Sequence, residues 1–421
     1  MVITVFGQGF VGLTTALGFA EYGHAVYGVE IDSERLVTIQ SGKLPFLEPG
    51  LDDALVRHLG ERYYPIVASR EELAKAIGQS DSVYYCVGTP YGEDGQADLK
   101  YLFSAIDQTL AAVNDDKYRV LVTKSTIPPS TCSKKIIPYL EEKGVKVGKR
   151  FGVANNPEFL REGHCWDDFM GADRIVLGVS DKHSEDVLRA IYANQSAPVF
   201  CVSLNTGEFI KYLSNTLLAT LISYSNEMSI VADTIGGIDV AAAFRILHMD
   251  KRWGGCNMSS YAYPGCGYGG YCLPKDTNAL YAVTKRAGFD AEILKNVIRT
   301  NDDMPKIIVN RILRAIDNDT DLTIGVLGLS FKPESDDVRD APSAKIIRRL
   351  NEAGCKKIVA FDPVSNEEFT KHYPELEMKT LDSYQDVIDE ADVLVIVTAW
   401  GVFGDIRNRS QKPVVDCRYM L

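Results

Sequence analysis

A chain of 421 residues, 46 % hydrophobic and 24 % charged, is too long for one ordinary core and predicts two or three globular domains. Its formal net charge of -12 argues against a general nucleic-acid or membrane-surface binder, since both need a net basic face, yet a local basic pocket for a small anion stays open. Nine cysteines, scattered and without a C-x-x-C pair, fit reduced cytoplasmic thiols better than a disulfide framework, and no metal site is expected.

The chain starts on an apolar strand, Val2 to Phe6, with no basic leader region, so no signal peptide is expected. No apolar run is long enough to span a bilayer. Ala25 to Val29, Ser82 to Val87 and Arg119 to Thr123 read as further buried parallel strands alternating with helical patterns. From Thr206 to about Leu247 the pattern is helical, with Ser203 or Asn205 as its cap. A second strand and helix series begins near Leu322, with strands at 322–327, 357–361 and 393–397 and helices at about 341–353 and 383–390. The predicted fold class is α/β: two doubly wound Rossmann-like domains joined by a long central helix and a helical dimerisation region.

Gly7, Gly9 and Gly12 follow the first strand in G-x-G-x-x-G order, enclosing Phe10 and Val11. The first glycine permits the tight turn, the second lets a pyrophosphate approach the backbone, and the third packs helix on strand. Glu30 ends the next strand, about 20 residues on, where a carboxylate accepts from ribose hydroxyls and repels a 2′-phosphate, so NAD is favoured over NADP. Arg35 either pairs with the adenosine end or is a solvated helix charge.

The stretch Gly265 to Asp276 holds Gly265, Gly267, Gly269 and Gly270 before Cys272, with Lys275 and Asp276 close behind. Such a loop brings backbone close to a ligand, and a nearby cation or helix N-terminus favours a nucleophilic thiolate. The plainer alternative is a glycine loop ending in a buried cysteine. In Asn156 to Gly163, Glu158 and Glu162 are spaced one helical turn apart, suited either to general-base work or to a solvated face. Gly207, Lys211 and Asn215 share one face of the central helix. Ser125 and Thr126 put hydroxyls at a strand's carboxyl end, where open α/β sheets bind ligands.

With these motifs, together with Glu48-Pro49-Gly50-Leu51, Thr89-Pro90, Phe331-Lys332 and Asp416-Cys417-Arg418, the sequence resembles the UDP-glucose/GDP-mannose dehydrogenase family over nearly its whole length. The resemblance implies an NAD-binding domain over 1–200, a central helical dimerising and catalytic domain over 201–305, and a UDP-binding domain over 306–421, in a cytoplasmic homodimer. It implies two successive oxidations of the C6 alcohol of a UDP-hexose, UDP-glucose foremost, with a UDP-N-acetyl-hexosamine or GDP-mannose as alternatives. Lys211 would assist loss of the C6 proton, Cys272 would hold the aldehyde as a thiohemiacetal and then a thioester, and Lys211 with Asn215 would steady the oxyanion. Glu158, with Asp276 and Thr126 positioning water, would hydrolyse the thioester. Thr89, Glu162, Lys275 and Arg339 would complete the cofactor site. Phe159, Leu160, Arg161, Glu162, Lys332 and Arg418 would line the substrate, and Tyr261, Tyr263, Gly265 and Gly269 the sugar pocket. Two departures stand out: Glu30 replaces the commoner aspartate, and the segment between Arg252 and Cys272 is unusually long, which bears on whether Arg252 reaches a neighbouring subunit. A β-hydroxyacid dehydrogenase of the 6-phosphogluconate type shares the fingerprint and the Lys-Asn pair but needs no thiol and lacks the second α/β series.

Overall fold

Short runs of β-branched and aromatic residues bounded by glycine turns build two sheets, one in each of two compact units, Met1–Leu213 and Ser214–Leu421. The computed structural model describes residues 1–90, 97–113, 115–250 and 261–421. In the first unit the strands are β1 (Val2–Phe6), β2 (Ala25–Glu30), β3 (Tyr63–Val67), β4 (Ser82–Tyr85), β5 (Arg119–Thr123), β6 (Phe151–Asn155), β7 (Ile175–Val179) and β8 (Val199–Ser203). They form an eight-stranded sheet in the order β3-β2-β1-β4-β5-β6-β7-β8. All pairings are parallel except β6 with β7.

Alternation along each strand feeds two cores. Ile3, Val5, Tyr84, Val120 and Val122 pack on one face, while Phe6, Val83, Tyr85 and Leu121 pack on the other. A sheet covered on both faces explains why these strands read as continuous apolar runs. Strand order reverses between β1 and β4, which makes their carboxyl ends the ligand crevice of such a sheet. Gly7 turns there with φ of +83°, and the first helix, Phe10–Glu21, follows. A Cβ at Gly12 would lie 1.7 Å from the carbonyl oxygen of Gly7, so helix and turn fit only with glycine.

The central helix spans Leu204–Ile235. Its start is capped by Ser203, whose Oγ accepts the Thr206 N–H at 3.2 Å, whereas Asn205 lies inside the first turn. The helix does not run on to Leu247 as the periodicity predicts. Gly236 and Gly237 take φ of +81° and +70°, which ends it, and Asp239 caps a separate helix, Val240–Leu247.

The second unit carries β9 (Ile324–Leu327), β10 (Ile358–Phe361), β11 (Lys379–Thr380), β12 (Val393–Ile396) and β13 (Val414–Asp416). They form a parallel five-stranded sheet in the order β11-β10-β9-β12-β13, again doubly wound about its first strand. Among the described residues no helix is long and apolar enough to cross a membrane.

Gly12→Ala should destabilise the first unit by about 1–3 kcal/mol, because the added methyl overpacks against backbone that cannot yield. Urea denaturation followed by circular dichroism measures it, and an unchanged midpoint would show that helix and turn can separate.

Candidate active site

The turn after β1 leads into a helix whose N-cap, Gly9, makes no side-chain cap hydrogen bond, and a Cβ at Gly9 would meet nothing within 4 Å. The positive end of the helix dipole therefore faces open space at the crevice, which suits a pyrophosphate. Phe10 lies against Phe46, with ring centroids 4.1 Å apart. Glu30 is buried and turned inward. Its Oε2 accepts the Gln8 N–H at 3.0 Å, and its Oε1 accepts those of Ile31 at 2.8 Å and Asp32 at 3.0 Å. Arg35 pairs with Oε2 at 3.3 Å from a partly exposed position. The loops after β4 and β5 are tied by Thr89, whose Oγ1 donates to the Thr126 carbonyl at 2.9 Å.

Asn156 to Gly163 is not the helical turn that the Glu158 and Glu162 spacing predicts; it is irregular until a turn at Glu162. Pro157 keeps Asn156 out of the helical region, and Glu158 bonds its own loop, accepting the Leu160 N–H at 2.7 Å. Buried Glu48 holds the far end, accepting from Gly163 N at 2.9 Å and Cys165 N at 2.7 Å. Glu158 Oε1 meets Lys211 Nζ at 2.7 Å, and each side chain is only 6 % exposed. Burial drives the Glu158 carboxyl upward, but the Lys211 charge and hydrogen bond, the Leu160 N–H and Lys124 outweigh it, so it lies below the usual value and is ionised. The Phe159 ring carries Lys211 at 5.6 Å and Arg174 at 4.1 Å. Arg161 turns to Asp168 at 2.6 Å. Leu160 and Glu162 are half-buried.

In the second unit Cys272 is exposed and is the first residue of the helix Cys272–Arg286. The dipole at that end favours a thiolate. Behind it Lys275 and Asp276 form a buried ion pair, and Asn215 Nδ2 donates to the other Asp276 oxygen at 2.6 Å. Burial pulls the Lys275 ammonium down, yet the charges of Asp276 and Cys272, the Asp276 hydrogen bond and Tyr271 together outweigh it, and its pKa is raised. Tyr271 carries Lys275 at 5.7 Å and Arg339 at 4.9 Å from its ring centroid. Arg339 chelates Asp337 at 2.9 and 2.7 Å.

The glycine loop is closely packed against its surroundings. A Cβ at Gly265 would sit 2.3 Å from Arg418 Nη1, and one at Gly269 would sit 2.5 Å from the Asp340 carbonyl oxygen. Arg418 and Gly265 thus lie side by side, and Tyr263 Oη donates to the Tyr419 carbonyl at 3.0 Å. Tyr261 is half-buried. Lys332 stands over Phe331, 5.7 Å from its centroid, and that ring lies 3.0 Å from the Cβ position of Gly270. Arg252 lies outside the described residues.

Models of the UDP-glucose/GDP-mannose dehydrogenase family match the chain as its NAD binding domain over residues 1–196, central domain over 205–303 and UDP binding domain over 325–421. The chain belongs to this family. A UDP-glucose 6-dehydrogenase of Rickettsia bellii is 38 % identical over 407 residues, covering 96 % of this chain and 90 % of its own. A UDP-glucose dehydrogenase from the hyperthermophilic archaeon Pyrobaculum islandicum superposes with a TM-score of 0.90 at 32 % identity, covering 100 % of this chain and 94 % of its own. A UDP-D-ManNAc dehydrogenase from Pyrococcus horikoshii gives 0.86 at 26 %, covering 100 % and 96 %. The chain is therefore an NAD-dependent nucleotide-sugar dehydrogenase with a UDP-sugar substrate, and NAD is its cofactor.

Several residues of this dehydrogenase escaped sequence reasoning. Glu48 stood in a recognisable motif without a role, Arg174 gave no local signal, and Lys124, at the end of an apolar strand, was readable only as an oddity. Asp276→Ala should cost about 3–5 kcal/mol of stability, because it strands the Lys275 ammonium in a buried site. Denaturant titration measures this; a loss below about 1 kcal/mol would mean that solvent reaches Lys275 after all.

Proposed function

We propose that the protein oxidises the C6 alcohol of UDP-glucose in two steps to UDP-glucuronate, with Cys272 as covalent nucleophile. The observation that carries the reading is Cys272, exposed at the first residue of a helix with the Lys275–Asp276 pair buried beneath it. Identities of 38 % and 32 % to proteins named for UDP-glucose, against 26 % to one named for UDP-D-ManNAc, favour glucose among the hexoses. Bound NAD supplies the hydride acceptor.

The chain's own residues do the rest. Lys211, as the neutral amine, takes the proton of the C6 hydroxyl. The Cys272 sulfur then bonds to the aldehyde carbon, and a proton reaches its oxygen to give a thiohemiacetal, which is oxidised in turn to a thioester. Asn215 and Lys211 stabilise the oxyanions on either side of that step. Glu158 draws a proton from the water that displaces the thiolate, with Thr126 and Asp276 orienting that water. Water and two equivalents of NAD are consumed, and the products are the carboxylate, two of NADH and three protons. Residues 1–200 hold NAD, with Gly7, Gly9, Gly12, Glu30, Arg35 and Thr89 at the dinucleotide, and 306–421 hold UDP, with Lys332 and Arg418 near its phosphates. A nucleophilic thiol works only where it stays reduced, which supports a cytosolic setting.

Cys272→Ala should cut net acid formation by orders of magnitude while UDP-glucose and NAD still bind, and the wild type should give two NADH per sugar with little free aldehyde. NADH absorbance with a panel of UDP-glucose, UDP-N-acetyl-hexosamines and GDP-mannose reads both. Near-normal uronate production by Cys272→Ala would make the cysteine a packing residue and end this mechanism.

We also propose a homodimer through the central helix. Leu217, Tyr224 and Val231 recur at seven-residue intervals on one face, followed by Ile235, and are 42 % to 70 % exposed. An apolar stripe of this spacing is the seam by which two copies of a helix pair. Tyr224→Glu with Val231→Glu should shift light-scattering mass from dimer to monomer; a wild-type monomer would exclude this seam.

A further inference from the structure

Lys124 follows β5 directly and is a buried lysine, 5 % exposed, to which no step above gives a task. Its Nζ donates to Asn156 Oδ1 at 3.1 Å. That oxygen also accepts the hydroxyl of Tyr192, while Asn156 Nδ2 donates to the Val176 carbonyl at 2.9 Å. Asn156 opens the Glu158 loop, so Lys124 helps to set where that loop leaves the sheet. The Phe169 ring lies 5.9 Å from Nζ.

Lys124, Lys211 and Glu158 bring two ammonium groups to one carboxylate in a site nearly closed to water. Of the neighbouring titratable groups, burial pushes the Cys86 thiol up to about 12, and burial likewise raises Cys165 and Tyr192, so these three are neutral, while the carboxylates Glu48 and Glu162 act with Glu158 on Cys165. Burial brings Lys124 down to about 8, with Glu158 opposing and Lys211 adding to the shift. A buried carboxylate left without a counter-ion takes up a proton itself. If Lys211 is the base that cycles its proton, Glu158 faces that hazard in every turnover.

We propose that Lys124 is a positioning residue: it fixes Asn156 and supplies the second buried positive charge that keeps Glu158 a carboxylate while Lys211 is without its proton. This rests on the roles proposed above for Glu158 and Lys211. Lys124 touches neither substrate nor cofactor in this role; it acts through Asn156 and through its field at Glu158.

The test is kcat against pH with saturating UDP-glucose and NAD for the wild type, Lys124→Gln, Lys124→Met, Lys124→Arg and Glu158→Gln. Lys124→Gln keeps a donor for Asn156 and removes only the charge. Removing a nearby cation raises a carboxyl pKa, so the acid limb should move to higher pH by about one unit in the Gln and Met variants, and turnover on that limb should fall about tenfold. The KM values for NAD and UDP-glucose should stay within about twofold, and Lys124→Arg should hold the limb where it is. Should Lys124→Met fail to fold, Lys124→Gln carries the comparison. A limb that stays in place, whether turnover falls evenly at all pH or does not fall, overturns the proposal. If at the same time Glu158→Gln abolishes the limb, only Lys124's role is lost; if Glu158→Gln keeps full turnover and the limb, the role of Glu158 falls with it.

Discussion

A carboxylate as deeply buried as Glu158 stays charged only where cations are delivered to it with little error, and that requirement fixes how the start of the central helix sits within the first unit. Three successive contacts dock the helix start. Gly207 lies so close to Asn155 that a Cβ there would be 2.1 Å from its Oδ1, and Asn155 Nδ2 donates to the Leu204 carbonyl at 2.8 Å. Glu208 accepts the N–H groups of Ser130 and Cys132, the latter at 2.7 Å, at the end of the loop that carries Thr126. One turn on, Lys211 reaches Glu158. The contacts join the helix to the exits of two strands, β5 and β6, so a shift of the helix breaks all three at once. Placement within a few tenths of an ångström is what proton transfer between such groups demands.

The strands were legible because burial on both faces leaves continuous apolar runs, and the dinucleotide turn because its glycines answer to backbone demands that any sequence must meet. Cys272 drew attention for a related reason, since four closely spaced glycines before a thiol bring backbone close to a ligand. What failed was local. The periodicity that joined 206–247 counted side chains and passed over Gly236 and Gly237, whose left-handed backbone outweighs any pattern of apolar residues. The spacing of Glu158 and Glu162 suggested a helical turn, but Pro157 and a carboxylate that bonds Leu160 two residues on settle that segment as a loop. Lys124 could not be assigned at all from sequence. Its partners lie 32 or more residues away, and a buried cation has meaning only when its counter-charge is known.

The two sheets apply one device to different ends. In both, a carboxylate at the end of the second strand of the fold bonds the turn that follows the first. Glu30 takes one N–H of its turn, that of Gln8, and spends its other oxygen on its own strand's exit, so the start of the first helix stays open to an anion. Asp362 Oδ2 instead takes Leu329 N at 2.8 Å, Ser330 N at 3.0 Å and the Ser330 hydroxyl at 3.0 Å, with Trp400 Nε1 at 3.1 Å as well. The protein's own carboxylate thus takes the donors of the turn. The second sheet is thereby unsuited to a dinucleotide at its turn, and an anionic ligand there must be held by side chains. Lys332 and Arg418 follow the ends of β9 and β13 and offer point charge and fork respectively. Divergence between the halves therefore lies less in the fold than in how many donors one carboxylate claims.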